Sequence, residues 1–308
     1  MDHLPVMPNE VLHSLAIKKN GIYIDGTFGR GGHSQLILNA LNAEGFLFAF
    51  DRDQTAILSA RAQHLRKNNQ FTLSHRAFSK MDEVILETGF CGKVNGILLD
   101  LGVSSPQLDQ DERGFSFMKD GPLDMRMDQT TGLSAAQWLA DVDEKTLVNV
   151  LFDYGEERFA RQIARAIITQ RQLRPIESTV QLATLIKEAI PIIDKHKHPA
   201  TRSFQAIRII INNELAELTC ALAQSLTLLA PQGRLVVISF HSLEDRIVKR
   251  FMRNESGVKS NIGKLPIRED AIQKGALKRI GKAIKPSSTE IAQNPRARSA
   301  IMRIAERL

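Results

Sequence analysis

Apolar runs of strand length recur through the first hundred residues and alternate with stretches of helical period. Gly21–Asp25 (GIYID) is a short β-rich run that enters a glycine-rich turn, and Ser34–Leu41 continues as a helix. Gly45–Asp51 (GFLFAFD) is a second strand, apolar on both faces, followed by a helical pattern through Ala56, Leu58, Ala60 and Leu65. Phe71–His75 is a third strand and Val94–Leu101 (VNGILLDL) a fourth. Strands without polar alternation, separated by helices, predict a parallel sheet covered on both sides.

The pattern breaks after the fourth strand. Gly102–Gly132 is rich in Gly, Asp, Ser and Pro, carries no sustained period and reads as a long functional loop. Ser134–Ile193 is helical throughout, with helices expected at Ser134–Ala140, Glu144–Phe152, Glu156–Gln170 and Thr179–Ile190. Ser203–Leu229 reads as one long helix and Gly233–Phe240 (GRLVVISF) as a fifth apolar strand. Ser242–Arg253 is a helix whose capping box is Ser242 with Asp245. Lys259–Pro286 is basic and weakly patterned, an irregular excursion, and Ser299–Ala305 suits a final strand. The expected architecture is α/β: a doubly wound, mostly parallel, Rossmann-like domain formed by residues 1–107 and 203–308. It is interrupted at 108–202 by a loop and an all-helical subdomain suited to substrate recognition.

Composition narrows the class. With 308 residues, 43% hydrophobic and 24% charged, the chain is long enough for a sizeable core. No apolar run approaches a membrane span and the N-terminus lacks the features of a signal peptide. Cys91 and Cys220, far apart and in no metal or redox spacing, are expected to be reduced core residues, which fits the cytoplasm. The net charge of +7 is uneven: His241 to the end carries 16 Lys/Arg against 7 Asp/Glu. That fits a polyanionic partner or a solvated basic surface.

The strongest local feature is Asp25-Gly-Thr-Phe-Gly-Arg-Gly-Gly-His33, placed after a strand and before a helix. Glycines serve where a chain turns sharply and a ligand approaches the backbone, and the helix behind adds free N–H groups. Asp51, about 20 residues beyond at the end of the second strand, is suited to the hydroxyls of a ribose. Both features fit NAD as well as S-adenosylmethionine. The acid that opens the turn, Asp25, favours a cationic methionyl group over a pyrophosphate, although it also suits simply holding the turn. At the end of the fourth strand, Asp100-Leu-Gly-Val-Ser-Ser-Pro-Gln107 is placed to hold an acceptor opposite the cofactor.

Longer blocks make a resemblance specific. DGTFGRGGHS (Asp25–Ser34), GILLDLGVSSPQLD (Gly96–Asp109), ERGFSFMKDGPLDMRMD (Glu112–Asp128) and YGEERFARQIARAI (Tyr154–Ile167) are similar to the MraW family, bacterial methyltransferases of small-subunit ribosomal RNA. HPATRSFQAIRI (His198–Ile209), ISFHSLEDRIVKRFM (Ile238–Met252) and NPRARSAIMRIAER (Asn294–Arg307) extend the resemblance nearly end to end. It implies a Rossmann-like methyltransferase that uses S-adenosylmethionine to methylate N4 of one cytidine in the decoding region of 16S rRNA. The family's cofactor contacts then fall on Gly31, Gly32, His33, Asp51, Phe78, Asp100 and Gln107, beside Asp25 and Gly29 of the turn.

Cytosine N4 is a poor nucleophile, so the site must position it and accept hydrogen bonds from its amine. Asp100 is the first candidate acceptor, with Ser105 and Pro106 where amino-methyltransferases carry an acid, Asn or Ser followed by Pro-Pro-aromatic. That aromatic is absent here, and Phe115 and Phe117 are expected either to stack on an extruded base or to be buried. Asp124, Arg126 and Asp128 either shape the pocket or pair with one another. His241 follows the fifth strand and is read as structural before catalytic. Asp194, His196 and His198 lack the further ligands a metal needs, and no metal is expected. Arg296, Arg298 and the basic residues Lys274–Lys285 are candidates for phosphate contacts.

Overall fold

A computed structural model describes residues 5–191, 198–257 and 275–308. Contacts divide the chain into two compact units, residues 1–102 with 215–308 and residues 103–214. The first is Rossmann-like. Helix α1 (Pro8–Leu15) leads into β1 (Ile22–Asp25), α2 (Gly32–Ala40) and β2 (Phe46–Asp51). Helices α3 (Gln54–Ile57) and α4 (Ala60–Leu65), then β3 (Phe71–His75), α5 (Met81–Thr88) and β4 (Val94–Asp100) complete the first half.

Among the described residues, seven strands form one sheet in the order β3-β2-β1-β4-β5-β7-β6, where β5 is Leu229–Ser239, β6 Leu277–Arg279 and β7 Ile301–Arg307. The first five strands are parallel, and β7 pairs antiparallel with both β5 and β6. The central strands β1, β2 and β4 are buried on both faces, which is why their sequences show no alternation, whereas edge strand β3 alternates buried Phe71 and Leu73 with exposed Thr72. One face carries Tyr23, Leu47, Ala49 and Leu98, and the other Ile24, Phe48, Phe50, Ile97 and Leu99. β1 lies between β2 and β4, and the chain winds in opposite directions from it. The carboxyl ends of those three strands therefore form the switch point where such sheets bind ligands.

Three expectations change. The stretch read as one helix from Ser203 to Leu229 is two, α11 (Thr201–Ile211) and α12 (Glu214–Leu228). The break at Asn213 has φ +52°, and Asn212 turns its amide onto the Met125 and Arg208 carbonyls instead of continuing a helix. Within the basic excursion, β6 pairs with β7 as a short edge strand; residues 258–274 lie outside the described residues. Both cysteines are exposed rather than core: Cys91 follows α5 in a turn, and Cys220 lies on the outer face of α12, away from buried Leu218, Ala221 and Leu222.

The second unit begins with α6 (Ser105–Asp109) and continues through α7 (Ala135–Asp141), α8 (Glu144–Gly155), α9 (Ala160–Leu173) and α10 (Thr179–Ala189) to α11. Its core is its own, built from Leu139, Leu147, Leu151, Ile163, Ile167 and Ile207, among others. The long loop before α7 is ordered by polar contacts: Arg113, 2% exposed, donates to the carbonyls of Arg126 and Met127. In the first unit α13 (Ser242–Ser256) follows β5 and α14 (Ser288–Gln293) precedes β7. Among the described residues no helix is long and apolar enough to cross a membrane.

Candidate active site at the strand ends

Because β1 sits between β2 and β4, the acids that end these strands, Asp51, Asp25 and Asp100, stand in a row. Asp25 exposes no surface. Its Oδ1 accepts from the Thr27 N–H at 3.1 Å and its Oδ2 from the Ser34 hydroxyl at 2.6 Å. Burial raises its pKa, opposed by the Ser34 hydrogen bond and the nearby His33. Asp25 therefore holds the turn, and its carboxylate exposes no surface for the direct ammonium contact expected from sequence.

The turn itself is pinned from three directions. Gly26 N–H donates to the Leu98 carbonyl and Phe28 N–H to the Phe50 carbonyl, tying the turn to both neighbouring strands. Gly29 N–H donates to Asp51 Oδ2 at 2.6 Å, and Asp51 Oδ1 accepts from the Asp53 N–H at 2.8 Å. Gly31, at φ +71°, is the residue before α2, and a Cβ there would lie 2.7 Å from Phe28 Cζ. Glycine is required on both counts. Phe78 stands over Gly26, its Cβ 3.1 Å from where a Gly26 Cβ would be. It is part-buried and begins the turn after β3.

Asp100 completes the cluster. Its N–H donates to Thr27 Oγ1 at 2.7 Å, so the fourth strand is fastened to the glycine turn. Its Oδ2 lies 3.5 Å from Nε2 of His33, in the first turn of α2. Asp100 Oδ1 and both His33 ring nitrogens are buried and make no hydrogen bond among the described residues. Buried polar atoms normally find partners, so their grouping beside a glycine turn marks a place for a polar ligand. Thr27 and Ser34 were missed as site residues; both lie within the DGTFGRGGHS block and were legible only as parts of its glycine pattern.

The remaining candidates belong to the second unit or to later parts of the first. Ser105, Pro106 and Gln107 open α6 in the second unit, where Gln107 is buried and its Oε1 accepts from the Ser104 N–H. Phe115 is 7% exposed, with the Arg113 guanidinium 5.7 Å from its ring centre. Phe117 packs at 4.5 Å on His198 and edge-on at 4.8 Å on Phe204. These two rings are thus packed within their own unit, and Phe115 has no open face for a base. Asp124 and Arg126 form a two-pronged pair, at 3.0 and 2.7 Å. Burial works against ionisation of Asp124, but Arg126 outweighs it and holds the carboxyl below its ordinary range. Asp128 instead accepts from Thr130, N–H and hydroxyl alike.

In the first unit, His241 is the N-cap of α13 with Glu244, which accepts the Phe240 and His241 N–H groups. The helix cap is thus one residue earlier than the Ser242–Asp245 box expected. Arg296 and Arg298 are exposed on a short 3₁₀ turn. Asp194, His196 and Lys274 lie outside the described residues.

Among solved structures, a Clostridium thermocellum chain provisionally assigned as an rRNA methylase aligns over 100% of both chains, at 11% identity and a TM-score of 0.47. A SAM-dependent O-methyltransferase from Thermotoga maritima aligns over 100% of this chain and 68% of its own, at 9% identity and a TM-score of 0.40. A Burkholderia thailandensis 1,6-didemethyltoxoflavin-N1-methyltransferase, with S-adenosylhomocysteine bound, aligns over 97% and 76%, at 10% identity and a TM-score of 0.39. The family of MraW methylases matches residues 1–308, the whole chain, and this protein belongs to it.

Proposed function

We propose that this methylase uses S-adenosylmethionine to methylate the N4 amine of a cytidine in the decoding region of 16S rRNA, within the RNA or the small ribosomal subunit. The observation that carries the reading is Asp100: a strand-end carboxylate with one buried, unpartnered oxygen, fastened by its own N–H to the glycine turn. When bound, S-adenosylmethionine supplies an electrophilic methyl group on a sulfonium centre. The residues at the strand ends fit it. The turn from Gly29 to Gly32 offers backbone without Cβ obstruction, Asp51 suits the ribose hydroxyls, and Phe78 offers an aromatic surface beside the turn.

Asp100 then accepts an N–H hydrogen bond from the acceptor's exocyclic amine, which turns the nitrogen toward the methyl and draws positive charge as the bond forms. His33, 3.5 Å away, orients that carboxylate. The second unit, with its independent core, supplies substrate recognition in this reading. Mass spectrometry of 16S rRNA from cells with and without the gene tests the assignment: N4-methylcytidine disappears with the gene. An unchanged level rejects it. Calorimetry separates a dinucleotide enzyme, which would bind NAD and not S-adenosylhomocysteine.

A further inference from the structure

The outer face of α13 carries a feature the proposed chemistry does not use. Its exposed positions are Ser242, Arg246, Lys249, Arg250, Arg253 and Asn254, which include four cations and no carboxylate. Lys249, Arg250 and Arg253 share one stripe of the helix, at the i,i+3 and i,i+4 spacing. Buried Glu244, Val248 and Met252 lie on the opposite face, against the sheet. The helix's other acid near its start, Asp245, is taken up by Arg303 of β7 at 2.6 and 2.9 Å, so it does not offset the stripe.

This arrangement works against the helix. Like charges at i,i+3 and i,i+4 repel, and Arg253 stands at i+3 from Arg250 and at i+4 from Lys249. A solvated surface would gain by interleaving acids, which this face does not do. The stripe also continues past the helix. The edge strand β6 packs against α13, with Leu277 buried in the same cluster as Val248 and Met252. Strand alternation places exposed Arg279 on that same side.

We infer that the stripe Lys249–Arg250–Arg253, extended by Arg279, binds the phosphate backbone of the RNA substrate outside the reacting nucleotide. The inference rests on the functional reading above, and names which surface of the sheet unit holds the RNA. A row of like charges at helical spacing fits successive phosphates, whose negative charge removes the repulsion within the helix. Such contacts add affinity and register without reading sequence.

The test compares the triple variant Lys249→Gln/Arg250→Gln/Arg253→Gln with a control that also removes three exposed charges, Lys18→Gln/Lys19→Gln/Lys67→Gln. Binding to a 16S rRNA transcript is followed by fluorescence anisotropy across a salt series. The stripe variant is expected to bind at least roughly tenfold more weakly near 0.15 M salt, with the slope of log K against log salt reduced by about 2. Binding of S-adenosylhomocysteine stays unchanged by calorimetry, and the control keeps the wild-type slope. Equal slopes in all three proteins overturn the inference, as does equal weakening in both variants. Loss of binding to phosphatidylglycerol vesicles with RNA binding intact overturns it too. Single Lys249→Gln and Arg253→Gln variants, each expected to remove part of the slope, serve if the triple variant does not fold. Methyl transfer to the transcript by the wild type keeps the two readings apart. If transfer occurs and the stripe variant keeps its slope, only the stripe falls; if the wild type neither binds nor methylates RNA, both fall.

Discussion

Asp51 and Gly29, 22 positions apart, are joined by a 2.6 Å hydrogen bond in which the glycine amide donates to the carboxylate. One side chain thus holds the glycine turn in place and, in the function proposed above, also receives the ribose hydroxyls. Burial pushes its pKa up to about 6, against the lowering effect of the Asp53 and Gly29 N–H groups.

A pH dependence follows from that value. Between the ordinary 3.8 and about 6, the folded protein holds this proton more readily than the unfolded chain does. The group's contribution to stability is therefore full below about 3.8 and is lost as pH rises through about 6. Cofactor binding runs the other way, because ribose hydroxyls donate best to the ionised carboxylate. Calorimetric titration with S-adenosylhomocysteine is expected to show affinity falling below pH of about 6, by up to roughly tenfold per unit. Asp51→Asn should flatten that profile and weaken binding at neutral pH. A profile with the same slope in the variant would remove Asp51 from the cofactor site.

Two glycines of similar backbone angle separate strain from crowding. Gly31 (φ +71°) and Gly89 (φ +72°) both occupy the left-handed region, where a side chain costs about 1–2 kcal/mol. Gly89 has nothing within 4 Å of a built Cβ, whereas at Gly31 Phe28 and Arg61 crowd it at 2.7 and 3.1 Å. Thermal melts should rank Gly31→Ala below Gly89→Ala, and only Gly31→Ala should impair cofactor binding.

Asp100 is fastened through its backbone N–H, so its side chain can change without releasing the turn. Asp100→Asn is expected to lower methyl transfer by about 10²–10⁴-fold while leaving the melting temperature near that of the wild type. Stopped methylation with S-adenosylhomocysteine still bound would support the amine-acceptor role. Full activity would assign Asp100 to structure alone.

Phe115 behaves in this structure as a packing residue. Phe115→Ala is expected to destabilise by about 3–5 kcal/mol in denaturant melts, since it empties a buried site beneath Arg113. A variant of undiminished stability that lost only RNA affinity would restore the base-stacking role that its sequence position suggests.

The glycine turn and the strand-end acid beside it were legible in the sequence. The turn from Asp25 to His33 and the place of Asp51 followed from spacing, because a sharp turn after a buried strand leaves few residue types that fit, whereas Gly31 and Gly32 were singled out by resemblance. Phe78 entered through family resemblance, and its closeness to Gly26 emerges only when β3 pairs with β2. The acceptor-side candidates were less legible. Phe115, Phe117, Asp124 and Arg126 lie in a stretch without period, so their sequence carries no sign of which neighbour each meets.

By itself, then, the sequence determined the parallel sheet, the glycine turn and the helical insert, since each is written in local periodicity or local backbone need. Long-range pairing decided the rest. It set β1 between β2 and β4 so that three acids meet, turned Asp25 inward onto Thr27 and Ser34, and brought His33 to Asp100. It also split the long helix at Asn212, whose side chain found the Met125 carbonyl 87 residues away. Partners that distant leave no trace in the spacing of either segment, because contact between them exists only once the backbone has folded.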